Sequence, residues 1–222
     1  MVEIGIICGM VSEVRTLGRW VNDARVSVMV SGARPDKAEQ MTQRLADAGA
    51  RLLVSWGIAG GLDPALASGA LVSAESVTTP DLSTYPLATK LLGSTSDGLL
   101  VGSDVVVTSV AEKASLRART GALAVDMETH KVAEVAAARA LPCLAVRAIS
   151  DPADRALPVL AASALNEDGR PRIGRVIKGL VRQPWELPCL VAAGRDSNRA
   201  LATLRAAADD IFCKLLNDAG GS

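Results

Sequence analysis

The sequence predicts an α/β fold, a three-layer arrangement in which a central mixed, mostly parallel β-sheet is flanked by helices. Three observations carry this reading. Apolar runs at residues 2–8, 26–31, 52–57, 71–77, 99–108, 122–125 and 143–149 are mostly continuous, with no clean alternation, as expected of strands buried on both faces. Helical patterns at 13–21, 35–48, 111–120 and 129–140 alternate with them, which is the α/β signature. No internal repeat or low-complexity linker interrupts the series, and 222 residues suffice for one domain burying roughly 70% of its unfolded surface.

The first run, Ile4-Gly5-Ile6-Ile7, opens a strand and not a signal peptide, because Glu3 precedes it and no basic leader or small-residue cleavage site accompanies it. The helix at 35–48 starts on Pro35 and stops at Gly49, both orthodox boundary signals. After Pro152 the chain turns Pro-, Ala- and Arg-rich, with Leu157-Pro158, Gln183-Pro184 and Leu187-Pro188 read as breaks, and helix resumes at about 197–216. Residues 1–217 are expected to form a single domain, with 218–222 a disordered tail.

Composition excludes several classes. Twenty-four Lys+Arg balance 24 Asp+Glu, so no net field draws in nucleic acid or anionic membrane. No apolar run approaches the length of a membrane span, so stable membrane insertion is not expected. Cys8, Cys143, Cys189 and Cys213 are far apart, with no CxxC and a single histidine, and read as reduced structural thiols of a cytoplasmic protein. No metal and no organic cofactor are called for. Three Trp, one Tyr and one Phe leave few rings to stack on a base.

Ligands of open α/β sheets bind beyond the carboxyl ends of the strands, so four strand ends were weighed as sites. Cys8-Gly9-Met10 leads to Glu13, which on a structural reading merely complements a helix dipole. Gly57-Ile58-Ala59-Gly60-Gly61-Leu62 follows a buried strand, reads as turn or ligand loop, and matches neither a dinucleotide fingerprint nor a P-loop. Asp126-Met127-Glu128 and Arg147-Ala148-Ile149-Ser150-Asp151 place carboxylates where desolvation is expensive unless they are paired or used. His130, within a helical segment, reads as a surface or structural residue.

In order and spacing these four ends, with Ser31-Gly32, resemble the nucleoside phosphorylase/nucleosidase superfamily, which includes purine nucleoside phosphorylases and methylthioadenosine/adenosylhomocysteine nucleosidases. Asp151-Pro152-Ala153-Asp154-Arg155 and Gly194-Arg195-Asp196 further resemble the hopanoid-associated phosphorylase branch. The resemblance implies that Glu128 accepts hydrogen bonds from ribose hydroxyls, that Met127 packs beneath the sugar, that Asp151 is the general acid for the leaving purine, and that Glu13 activates water. Asp126, Ser150, Gly60, Ile58 and Val106 complete the implied substrate site, Val106 standing where relatives often place an aromatic contact to the base. Ile58 replaces a hydroxyl that relatives use toward phosphate or the nucleophile, while Arg34 and Arg15 are the candidate phosphate cations. Inorganic phosphate is thus an optional co-substrate, and phosphorolysis and hydrolysis both stay open. The implied activity is cleavage of an adenine nucleoside, with adenosylhopane the leading substrate, a small 5′-modified adenosine nucleosidase the alternative, and a catalytically silent nucleoside sensor the non-enzymatic one. A homo-oligomer, most simply a C2 dimer, is the implied assembly.

Overall fold

Runs of β-branched and aliphatic residues at the chain start and centre leave no polar face, and the structure buries them accordingly. The computed structural model describes residues 3–93, 98–162, 178 and 182–218. Among the described residues nine strands make one sheet: β1 (Ile4–Cys8), β2 (Val26–Val30), β3 (Leu52–Gly61), β4 (Leu71–Ser73), β5 (Ser76–Thr78), β6 (Thr84–Pro86), β7 (Leu99–Gly102), β8 (Ala124–Asp126) and β9 (Cys143–Asp151). The path runs β2-β1-β3-β8-β7-β5-β6, with β9 paired to β3 and β4 to β9. Pairings of β1 with β2 and β3, of β3 with β9, and of β7 with β5 and β8 are parallel; β3–β8, β4–β9 and β5–β6 are antiparallel.

β3 carries two ladders. Leu53 to Gly60 runs beside Cys143 to Asp151, with a register irregularity between Ala59 and Gly60, and then Gly60 and Gly61 pair with Val125 and Ala124 of β8. This junction brings the ends of β1, β3, β8 and β9 together.

Alternate residues of the central strands face opposite layers. Ile4, Ile6, Val54, Trp56, Leu144 and Val146 pack against Leu17 and Trp20 of the 3₁₀ segment Arg15–Asn22 and against Leu204, Ile211 and Phe212 of the C-terminal helix. Ile7, Leu53, Ala145 and Ile149 pack on the other side against Leu45, Val132 and Ala136. Those residues belong to α2 (Pro35–Asp47) and α4 (Thr129–Ala138); α1 (Val11–Val14), α3 (Val110–Thr120), α5 (Val159–Ala162) and α6 (Leu187–Asp218) complete the described α-helices. The two layers around a mixed, mostly parallel sheet match the expected fold class.

Several boundaries differ from the sequence reading. The run at 71–77 is two strands, and the run at 99–108 is a strand only to Gly102, after which the Ser103 hydroxyl bonds the Val105 carbonyl at 2.6 Å and turns the chain into a loop. The 13–21 pattern is a single α-turn followed by 3₁₀ helix, with Gly18 at φ 59°. The glycine run at 57–61 is the continuation of β3, not a turn. α6 begins ten residues earlier than expected, because Pro188 falls in its first turn, where the missing N–H has no helical partner to lose. Of the Pro-, Ala- and Arg-rich stretch after Pro152, residues 163–177 and 179–181 lie outside the described residues, as do 219–222 of the expected tail, while Asp218 is the last residue of α6.

Candidate active site

β1 ends at Cys8, and Gly9 and Met10 lead straight into α1, which turns Glu13 back over the end of the sheet. Glu13 is 2% exposed; its Oε2 accepts the Met10 N–H and its Oε1 the Ile58 N–H, each at 2.8 Å. Burial pushes its pKa up, opposed by Arg147 and by backbone donors. Glycine is required beside it: a β-carbon on Gly57 would lie 2.4 Å from Glu13 Oε1 and 2.5 Å from Arg147 Nη1, and one on Gly9 would lie 2.7 Å from Glu128 Oε1.

The end of β8 supplies Asp126 and Glu128. Asp126 caps α4, its Oδ1 accepting the Glu128 and Thr129 N–H groups at 2.9 and 2.8 Å, while its Oδ2 accepts the Thr129 hydroxyl and, at 2.7 Å, Arg147 Nε. Arg147, in the middle of β9, is fully buried and also donates to the Ser55 hydroxyl at 2.6 Å and the Thr129 hydroxyl at 2.9 Å; its Nη2 stands 3.5 Å from Glu128. One guanidinium therefore faces three buried carboxylates. Burial raises Asp126, but Arg147 and the Thr129 and Glu128 donors outweigh it and hold its pKa below the usual range. Glu128 gets the weaker share: burial pushes it up to about 8, Arg147 opposes, and the Asp126 and Glu13 charges push further.

β9 ends on Ser150 and Asp151. The Ser150 hydroxyl donates to Asp151 Oδ1 at 2.6 Å and to the Ala59 carbonyl at 3.2 Å. Asp151 Oδ2 accepts from Lys113 Nζ at 2.6 Å, a buried ion pair. Burial raises the Asp151 pKa and Asp196 adds to it, with Lys113 and Ser150 opposing.

These strand ends open on one cavity of about 450 Å³. Glu13, Glu128, Asp126, Met127, Ser150, Asp151, Gly60, Ile58 and Val106 all line it. Arg15 and Arg34 do not: Arg15 is exposed, and Arg34 is ion-paired with Asp36 at 2.6 Å. No lysine or arginine is among the described lining residues. Away from the strand ends the wall is apolar, built by Val105 to Val107, Leu157, Ala161 and, on α6, Leu190, Ala193 and Leu201. His130 is a buried structural residue, its Nε2 3.1 Å from Asp104 Oδ1 and its ring so close over Gly102 that a β-carbon there would lie 2.2 Å away. Among the described residues no group of three or more His, Cys, Asp or Glu is arranged to hold a metal, and the four cysteines are free.

Sequence reasoning missed Lys113, the apolar wall given by α6, and the central place of Arg147. For Arg147 there was a signal, a lone cation within a nine-residue strand buried at every position. Lys113 had none, lying in a helix pattern that reads as solvated.

The arrangement gathers three buried carboxyl groups, Glu13, Glu128 and Asp151, around one space, a set chemically able to serve as acid, hydroxyl acceptor and base. Comparison with known proteins points in the same direction. The phosphorylase superfamily model matches residues 87–182. A futalosine hydrolase of Streptomyces coelicolor is 37% identical over 127 residues, covering 46% of this chain and 54% of that protein; the chain thus spans about half of that relative. A 5′-methylthioadenosine/S-adenosylhomocysteine nucleosidase of Baumannia cicadellinicola is 27% identical over 164 residues, covering 61% and 72%. The solved structures of the corresponding nucleosidase and of futalosine hydrolase from Helicobacter pylori each superpose with a TM-score of 0.70 at 16% identity, over 98% of both chains. Fold and matches together make the chain similar to the nucleoside phosphorylase/nucleosidase superfamily. Its similarities within that class are to enzymes named as hydrolases and nucleosidases.

Proposed function

We propose that the protein hydrolyses the N-glycosidic bond of an adenine nucleoside. The observation that carries this is the cavity itself: Glu13, Glu128 and Asp151 arrive from three separate strand ends onto one space whose described lining has no lysine or arginine. A phosphate dianion finds no cation among the described lining residues to offset its charge, whereas water suits a carboxylate base. Glu13 takes the proton of the attacking water, Glu128 accepts the ribose hydroxyls, Met127 packs under the sugar, and Asp151 delivers a proton to the departing adenine. Asp126, with its oxygens committed to Arg147, Thr129 and the α4 N-terminus, holds the site together and does not bind substrate directly.

The apolar wall supports a bulky apolar 5′ substituent, and adenosylhopane is the leading candidate. Similarity to a methylthioadenosine/adenosylhomocysteine nucleosidase supports the second reading, a small 5′-alkylthio adenosine. Residues 1–217 acting as one domain, in a cytoplasmic homo-oligomer, belong to the same proposal.

Adenine release, followed by mass spectrometry across 5′-substituted adenosines with and without phosphate, tests it. Turnover independent of phosphate is expected, falling about 10²–10⁴-fold in Asp151→Asn. A strict phosphate requirement overturns hydrolysis, and failure to release adenine from any of them leaves the sensor reading.

A further inference from the structure

α3 has one buried residue, and it is a lysine. Lys113 is 1% exposed, and its Nζ contacts Asp151 Oδ2 at 2.6 Å, the Asp151 carbonyl at 3.1 Å, and the Pro152 and Arg155 carbonyls at 2.9 Å each. Every one of these partners lies on the last residue of β9 or on the short turn that follows it. An aliphatic residue would dock α3 on that turn without desolvating a charge, so the ammonium needs another reason.

We propose that Lys113 is the positioning residue of the acid: with the Ser150 hydroxyl on Oδ1 and the Lys113 ammonium on Oδ2, it fixes the plane of the Asp151 carboxyl and stabilises the carboxylate left after proton transfer. The inference rests on Asp151 being the acid of the proposed hydrolysis. In that step the bond from C1′ to the purine nitrogen breaks with its electron pair going to adenine. The Asp151 carboxyl proton passes to an adenine nitrogen, water oxygen bonds C1′, and the water proton goes to Glu13. Asp151 thus becomes an anion at the moment the leaving group departs, and Lys113 sits against that anion from the side away from solvent.

Among the described residues, the other charged group that faces Asp151 is Asp196 of α6, which opposes ionisation and is itself ion-paired with Arg155. Neighbouring β3 brings only glycine there, Gly60, whose β-carbon would be 3.2 Å from Asp151 Oδ2. Lys113 is therefore the cation on which the acid strength depends.

The test is the pH profile of kcat/KM for adenine release in Lys113→Met, Lys113→Gln and Lys113→Arg. Loss of a cation in contact with a carboxylate moves that carboxyl upward by about one to three pH units. The alkaline limb of the profile in Lys113→Met is expected to shift up by that amount, the acidic limb to stay in place, and kcat to fall about 10- to 100-fold. Lys113→Arg, keeping the charge, is expected to return the alkaline limb toward its original position. Should the Met variant not fold, Lys113→Gln, whose amide still serves carbonyls of the turn, carries the same test. An unmoved alkaline limb in a folded neutral variant, with Asp151→Asn inactive, overturns the role of Lys113 alone. An Asp151→Asn protein that releases adenine at the original rate removes the underlying reading instead.

Discussion

Glu128 stands beside a cation that is already committed elsewhere. Asp126 holds Arg147 at 2.7 Å and Glu128 only at 3.5 Å, so burial, weakly opposed by that guanidinium, pushes the Glu128 pKa up to about 8. A ribose hydroxyl donates best to the ionised form, so ligand binding and ionisation reinforce each other. The affinity for an uncleaved nucleoside analogue is accordingly expected to rise as pH climbs from about 4.5 through about 8. Glu128→Gln should bind more weakly and lose that pH dependence. Calorimetric titration across the range checks both; equal slopes in the two proteins would sink the assignment. At this scale the sequence was informative about acids and poor about their counter-ions. Glu13, Glu128 and Asp151 stand out because carboxylates at the ends of apolar runs need an explanation. Lys113 does not, since one lysine among Glu112, Arg117 and Arg119 looks like any solvated helix position, and only the tertiary contact with the turn after β9 distinguishes it.

Among the elements, α6 does two jobs along its 32 residues. Its later turns, through Leu204, Ile211 and Phe212, seal one face of the sheet, where Phe212 lies 5.3 Å from Trp56. Its earlier turns carry Leu190, Ala193 and Gly194 to the cavity wall. Gly194 has open space where a β-carbon would stand. Gly194→Leu is therefore expected to fill the apolar end and cut turnover of a nucleoside with a bulky 5′ group at least about tenfold relative to methylthioadenosine. Helix stability should be unharmed, because glycine is the poorer helix former. Competition between the two substrates with the variant measures the ratio. The first half of this helix was not legible, since Leu187-Pro188 reads as a break until one sees that proline costs nothing in a first turn. Likewise Gly57 to Gly61 read as a loop because glycine clusters usually do, whereas here Gly57 makes room for Glu13 and Arg147 beside a strand that continues.

For the molecule as a whole, a mixed, mostly parallel sheet between helical layers followed from buried runs alternating with helices, but the strand order, with β9 beside β3, was not readable from a linear pattern. A consequence of this architecture is that ionisable groups sit in the most buried part of the fold. Glu13, Glu128 and Asp151 all have raised pKa values, and for such groups the stabilising contribution is complete below the unfolded value and is lost as pH rises through the folded one. Asp126 is held low, so its contribution is lost only in acid below the usual carboxylate range. The thermal midpoint of the ligand-free protein should therefore fall as pH rises from about 4.5 past about 8, and Glu128→Gln should flatten the decline. Calorimetry at several pH values decides it; a midpoint rising over that interval would contradict the assignment.

Gly60 pairs with Asp151 on one side and with Val125, next to Asp126, on the other. The strands that carry Asp151 and Asp126 are in this way stitched to the same residue, and neither can retreat to make space without unzipping a ladder. On the proposed reading, the strand half of the cavity holds the bond to be broken and the helical half sets what hangs from it. Changes in reaction rate and changes in substrate preference should then map to different layers of the protein, the first to the ends of the strands and the second to α6 and the loop at 103–107.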